Sequence, residues 1–158
     1  FVAHECILDF RDLKSKTGLS VNDLAKRLID YSFHAPTISW PVPETIMIEP
    51  TESESLVELD RFCEAMLLIG EEISEIEKNI ELKNNNVISN APHTLKELIA
   101  DNWHYPYSKE KASFPYKTPT SIKFWSSVSR INNAYGDRNL ICSCNVNQEE
   151  TLEEKKCA

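Results

Sequence analysis

Glycine is nearly missing from this chain: three in 158 residues, at Gly18, Gly70 and Gly136. Loops that cradle a phosphate need several closely spaced glycines so that backbone amides can approach it, so the glycine-rich mononucleotide and dinucleotide loops are excluded. No apolar run comes near the roughly 20 residues that cross a bilayer as a helix, which excludes a membrane-spanning helix. Positive charge is also in deficit, with 17 Lys and Arg against 25 Asp and Glu, net -8. Lys and Arg on phosphates supply most non-specific nucleic-acid affinity, so no nucleic-acid partner is expected. The five cysteines (Cys6, Cys63, Cys142, Cys144 and Cys157) form an odd set. They lack the paired Cys-x-x-Cys and His spacing of a zinc site, and no metal is expected. No Asn-x-Ser/Thr acceptor occurs either, and the expected setting is a reducing one inside a cell.

What is present suits one domain with a real core, because a chain of ~150 residues buries about 70% of the surface it exposes when unfolded. The chain opens at Phe1 on a strand-like stretch rather than a targeting peptide, so it reads as part of a longer protein. Cys6 to Asp9 is an expected strand. Ser20, with Asp23 three positions on, marks a capped helix start, stapled by Leu19 and Leu24 and running to about Tyr31. Val21, Leu24, Ala25, Leu28 and Ile29 form its apolar face, with Lys26 and Arg27 expected to point away. Three prolines in eight residues (Pro36, Pro41, Pro43) then make a rigid non-helical segment. Thr45 to Glu49 returns to strand, stopped by Pro50.

Thr51 and Glu54 read as a capping box for a long amphipathic helix from about Ser53 to Lys78. Its expected buried stripe is Leu56, Leu59, Cys63, Met66, Gly70, Ile73, Ile76 and Ile80, widened by Phe62 and Ile69. Residues 52–81 carry ten acidic groups against Arg61 and Lys78. Such a run is a solvated face or, alternatively, a docking surface for a basic partner. A polar break at 83–86 precedes a short helix capped near Thr94 and another from Ser108 to Ser113, within an irregular, aromatic-rich stretch. The expected organisation is a core over 1–82, a wrapping segment over 83–144 and a flexible tail over 145–158. Strand, helix, strand, long helix and wrapping give a small α+β domain. Cys6 and Cys63 fall in apolar patterns and are expected in the core. Cys142 and Cys144 lie near the polar tail, as incidental thiols or a redox pair.

Several strings carry more information than the periodicity. Ala3-His-Glu-Cys-Ile-Leu-Asp9, Asp23-Leu-Ala-Lys-Arg-Leu28, Phe33-His-Ala-Pro-Thr-Ile-Ser-Trp-Pro-Val42, Met47-Ile-Glu-Pro-Thr-Glu-Ser-Glu54 and Glu58-Leu-Asp-Arg-Phe-Cys63 run through the first half. Asn90-Ala-Pro-His93, Pro106-Tyr-Ser108, Ala112-Ser-Phe-Pro115, Lys123-Phe-Trp125 and Tyr135-Gly-Asp-Arg-Asn-Leu140 continue them. Together these strings resemble the C-terminal region of the P-protein family of the glycine cleavage system, the decarboxylating glycine dehydrogenases, over about residues 1–144.

The resemblance implies the small C-terminal domain of a fold type I (aspartate-aminotransferase-like) enzyme that uses pyridoxal phosphate. It implies decarboxylation of glycine and transfer of the aminomethyl group to the lipoyl arm of H-protein, with the upstream large domain of the same protein and a second copy in a homodimer as further partners. The location it implies is mitochondrial in a eukaryote and cytoplasmic in a bacterium. None of the strings contains the cofactor lysine, so the resemblance assigns no catalytic or cofactor-binding residue here and places pyridoxal phosphate mainly on sequence outside this chain.

The residues expected to line a substrate or lipoyl entrance are His34, Thr37 and Trp40 on the proline-pinned segment, where Ser39 adds a second hydroxyl. Packed structural roles for His34 and Trp40 are the alternative. Arg130 and Arg138 are expected either to fork onto a carboxylate or to form ordinary ion pairs, for instance with Asp137. Against the family pattern, Ser32 and Glu44 replace usual glycines, Ser126 a usual proline and Asn132 a common Asp. A glycine site after a helix favours positive φ, so Ser32 is expected to be strained by about 1 kcal/mol. Three readings therefore stand: a working part of the enzyme, a non-catalytic assembly module derived from it, and a thiol regulator acting through Cys142 and Cys144.

Overall fold

Antiparallel pairing of three short strands organises the first half of the domain. The computed structural model describes residues 3–116 and 123–141, apart from the side chain of Ile80. Strand β1 (Cys6–Asp9) pairs with β3 (Thr45–Ile48), with Ile7 opposite Met47 and Asp9 opposite Thr45. The two-residue β2 (Thr37–Ile38) adds to the other side of β3, giving the order β1-β3-β2. The prolines flanking β2 hold it to an edge, where missing amide donors leave no gap in the ladder.

Helix α1 (Leu13–Thr17), which the sequence does not announce, ends at Gly18 with φ 82°. Glycine takes this left-handed cap without a Cβ penalty. Helix α2 (Val21–Asp30) carries the expected capping box, with Ser20 and Asp23 bonding reciprocally. Helix α3 (Leu56–Lys78) starts later than expected. Its cap is Ser55, which accepts from the Glu58 amide, while the Thr51 hydroxyl is paired with Ser53. Short helix α4 (Leu95–Ile99) sits behind its expected cap, Thr94, and α5 (Lys109–Ser113) occupies the expected 108–113 stretch with Ser108 as its cap. A last helix, α6 (Asn133–Arg138), lies in the wrapping segment; the Asn132 side chain caps it as Asp would.

Leu24, Leu28, Ile46, Ile69 and Ile88 are the centre of one apolar cluster drawn from α2, β3, α3 and the segment after it. Two expectations about burial are overturned. Cys6 is exposed at the start of β1, and Cys63 is exposed because the buried line of α3 runs through Ala65, Ile69, Glu72 and Ile76 instead of Cys63 and Gly70. Arg27 does not point away but is fully buried. It lies three residues from Leu24 and four from Tyr31, on the core side of α2. Cys142, Cys144 and the 145–158 tail lie outside the described residues.

Candidate functional site

The proline-pinned segment forms a fixed tip at the β2–β3 end of the sheet. The Ser39 amide donates to the Thr45 carbonyl at 2.8 Å, the Glu44 amide to Ser39 Oγ at 3.3 Å, and Thr45 Oγ1 to the Val42 carbonyl at 2.6 Å. The tip is also tied to the body, through the Phe10 amide on the Glu44 carbonyl and the Val21 amide on Glu44 Oε2. Ser39 and Glu44 hold φ of 55° and 57°, and Ser32, at the start of the segment, holds 65°. The usual-glycine positions Ser32 and Glu44 are thus left-handed, as expected for Ser32. Their side chains are used: Ser32 Oγ accepts from the Phe124 amide at 3.0 Å, and the Glu44 carboxylate receives a first-turn amide of α2.

This bracing presents His34, Thr37 and Trp40 to solvent, with Trp40 64% exposed. The packed-turn alternative for His34 and Trp40 does not describe them within these residues. Arg130 is elsewhere and already committed. Its Nη1 donates to Asp23 at 2.8 Å and its Nη2 to the carbonyls of Ile88 and Ser89 at 3.2 and 2.8 Å. The ordinary ion pair is therefore the right description, with Asp23 as partner. Arg138 sits in the last turn of α6, exposed and not brought to the tip by any contact among the described residues.

A second polar assembly, which composition and motif reading missed, lies inside the domain. All five donors of the buried Arg27 guanidinium are used: two on Glu72 (3.0 and 2.6 Å), one on Asp30 (2.9 Å), and one each on the carbonyls of Ala112 and Lys111 (2.7 and 2.8 Å). Burial opposes its charge, yet the flanking carboxylates outweigh that and hold its pKa above the ordinary value. Asp30 goes on to His93, accepting its amide at 2.7 Å and its Nδ1 at 2.8 Å. An ionised carboxylate can only accept, so Nδ1 carries the proton and Nε2 accepts from the Tyr107 hydroxyl at 2.9 Å. Burial pushes the Tyr107 hydroxyl upward, which keeps it a donor. Trp103, Tyr105 and Tyr107 surround the imidazole with ring centroids at 6.2, 5.7 and 5.6 Å. The chain Glu72–Arg27–Asp30–His93–Tyr107 thus ties α3, α2 and the aromatic stretch together. The i,i+3 spacing of Arg27 and Asp30 on the apolar side of α2 was its one visible signal.

A pyridoxal phosphate group needs a free lysine amine and a cluster of donors for its phosphate. Lys123 is half-buried, and burial lowers its pKa to about 8. Its Nζ, however, donates to the Asp30 carbonyl and lies 5.1 Å from the Trp125 ring centroid. Lys109 is spent on the carbonyls of Leu98 and Ala100, and Lys111 on Glu75. None of these three amines is free for that group.

Residues 1–93 match the family model described as glycine dehydrogenase, C-terminal domain. The chain belongs to the glycine dehydrogenase family. It is 62% identical over 143 residues to a glycine dehydrogenase (decarboxylating) of Prochlorococcus marinus strain NATL1A, covering 90% of this chain and 15% of that protein. A Thermosynechococcus vestitus relative of the same name is 57% identical over 145 residues, covering 92% and 15%. A Dictyostelium discoideum relative, named as mitochondrial, is 57% identical over 143 residues, covering 90% and 14%. The chain therefore spans about one-seventh of the length of these glycine dehydrogenases and corresponds to their C-terminal part. Among the described residues no helix is long and apolar enough to cross a membrane.

Proposed function

We propose that this chain serves as the C-terminal part of a working glycine dehydrogenase of fold type I, which decarboxylates glycine and passes the aminomethyl group to the lipoyl arm of H-protein. The observation that carries this reading is 57–62% identity, across nine-tenths of the chain, to relatives named for that decarboxylating activity. Pyridoxal phosphate, when bound, supplies the electron sink for the decarboxylation, and it is held by residues outside this chain. The 158 residues alone do not catalyse. Within the complete enzyme, a homodimer in this reading, the braced tip offers Trp40 as a wall and His34 and Thr37 as polar contacts at the substrate or lipoyl entrance. The family's location carries over with the activity: mitochondrial in a eukaryotic host, cytoplasmic in a bacterium.

One observation favours a second reading, a non-catalytic assembly module. Ser32 and Glu44 keep a left-handed backbone without glycine, as in a chain where binding surfaces outlast fine active-site geometry. A chimera separates the two: the chain replaces the matching segment of the Prochlorococcus relative, and exchange of the glycine carboxyl with bicarbonate is measured. Exchange within tenfold of the parent supports the enzymatic reading. A soluble, assembled chimera without exchange supports the module. Replacing Cys142 and Cys144 together by Ser in the same chimera tests the thiol reading, which requires loss of any oxidant dependence.

A further inference from the structure

Helix α3 carries apolar side chains on two opposite faces. Its inner face packs Ala65, Ile69 and Ile76 into the core. At about 100° per residue, Leu56, Cys63, Leu67 and Gly70 fall on the far side of the same helix. Leu56 and Leu67 are 71% and 72% exposed, and Cys63 and Gly70 are exposed too. The line from Leu56 to Ser74 is about 27 Å long at 1.5 Å per residue. A shallow groove of about 710 Å³ follows it past Leu67, Gly70, Glu71, Ser74 and Lys78.

Gly70 marks the middle of this face. Glycine inside a helix costs about 1 kcal/mol relative to alanine. A Cβ built at Gly70 would meet no atom of the described residues within 4 Å, so packing among them does not require the missing side chain. Close approach by something outside the domain does. The flank of the strip is acidic, with Asp60, Glu64 and Glu71 all exposed, and Lys78 the cation at its far end. A second copy of this chain would offer each strip one Lys78 against three carboxylates, a net like charge that complementary interfaces avoid. A helix with an apolar ridge and Lys or Arg on its flank satisfies both features.

We propose that the outer face of α3 is a helix-docking surface, and that its occupant is a basic-flanked amphipathic helix in the remainder of the glycine dehydrogenase polypeptide. This rests on the reading of the chain as part of the longer enzyme. Cys63 lies on the face and reports its coverage directly. In the chimera described above, alkylation of Cys63 is followed by peptide mass spectrometry in native protein and in protein unfolded in urea. At least tenfold slower labelling in the native protein is the expected result; labelling at the unfolded rate overturns the proposal. Protection that falls on dilution assigns the face to a second copy and also overturns it. The charge assignment is tested by the triple variant D60K/E64K/E71K and by salt titration of the unaltered chimera, so that a misfolded variant does not decide alone. Both are expected to raise Cys63 labelling several-fold, and protection indifferent to salt overturns a basic occupant. Carboxyl exchange is measured on the same samples. Lost exchange with a protected Cys63 removes the enzymatic reading and leaves the docking face standing.

Discussion

Arg27 and Glu72 meet fork to fork, Nε on Oε2 at 3.0 Å and Nη2 on Oε1 at 2.6 Å, with the guanidinium fully out of water. Removing one partner of a buried pair strands the other, at a cost of about 3–5 kcal/mol. Arg27→Ala is expected to lie in that range by urea unfolding, because Asp30 and two carbonyls are stranded along with Glu72. Arg27→Lys is expected to lose about 2 kcal/mol or more, since an ammonium has three donors and no planar fork. Unfolding midpoints for both variants equal to the parent's would contradict the network as drawn.

The His93 end of the same chain gives a smaller and separable effect. Tyr107→Phe removes the hydroxyl that Nε2 accepts from at 2.9 Å while leaving the ring stacked on Tyr105 at 5.3 Å. An unsatisfied buried acceptor costs about 1–3 kcal/mol. The expected loss is in that interval, and in an Asp30→Asn background it should change, because Asp30 sets the imidazole tautomer. A double-mutant cycle reads the coupling, and strict additivity would show that the two bonds act independently.

Lys123 sets the alkaline behaviour. Burial lowers its pKa from 10.5 to about 8 in the folded chain. Between those values the unfolded state binds the extra proton, so stability must rise with pH across that window and is lowest below it. Above about pH 10 the trend reverses. Burial holds Tyr31 and Tyr107 above the ordinary phenol range, and Tyr105 at about 12, so only the unfolded state ionises there. Urea midpoints are expected to climb between pH 7.5 and 9.5 in the parent and to stay level in Lys123→Met. A parent profile that is flat over this interval would show the amine to be better solvated than its contacts imply.

Glu44 separates backbone strain from side-chain bonding. Its φ of 57° penalises any residue with a Cβ by about 1 kcal/mol, while its carboxylate accepts the Val21 amide at 3.2 Å. Glu44→Ala keeps the strain and loses the bond, so it should destabilise by about 0.5–1.5 kcal/mol. Glu44→Gly loses the bond but relieves the strain and should be about 1 kcal/mol more stable than Glu44→Ala. Equal thermal midpoints for the two variants would remove the strain.

Local signals in the sequence were read correctly where the chemistry is local. Ser20 opens α2 by bonding Asp23, and Thr94 caps α4, because a short polar side chain can reach the groups of the next turn. The left-handed site at Ser32 was legible from the family pattern. Where a choice depended on what surrounds an element, the sequence misled. Thr51 is the expected cap of α3, yet its hydroxyl is paired with Ser53 and Ser55 accepts the Glu58 amide in its place. Cys63 and Gly70 satisfy a helical repeat as well as Ala65 and Ile69 do, because α3 is apolar on two sides and periodicity does not say which faces the core. The burial of Arg27 is not legible in the helical spacing of α2, since its partners Glu72, Lys111 and Ala112 lie 45 to 85 residues away.

Trp40 on the tip and Arg130 beside Asp23 behave oppositely in this fold. Trp40 is 64% exposed on a tip braced by its neighbours' backbone bonds, so Trp40→Ala should leave stability within about 0.5 kcal/mol. An exposed, preorganised tryptophan that anchors a partner carries about 2 kcal/mol or more of binding, or about thirtyfold in affinity. The chimera carrying Trp40→Ala is therefore expected to show a KM for lipoylated carrier raised by roughly that factor. Arg130 spends its two terminal nitrogens on Asp23 and two carbonyls of its own domain. Arg130→Met should therefore lower the urea midpoint and leave the carrier KM unchanged. Finding the reverse, a stability loss at Trp40 and a KM effect at Arg130, would move the entrance from the tip to the 88–130 side of the domain.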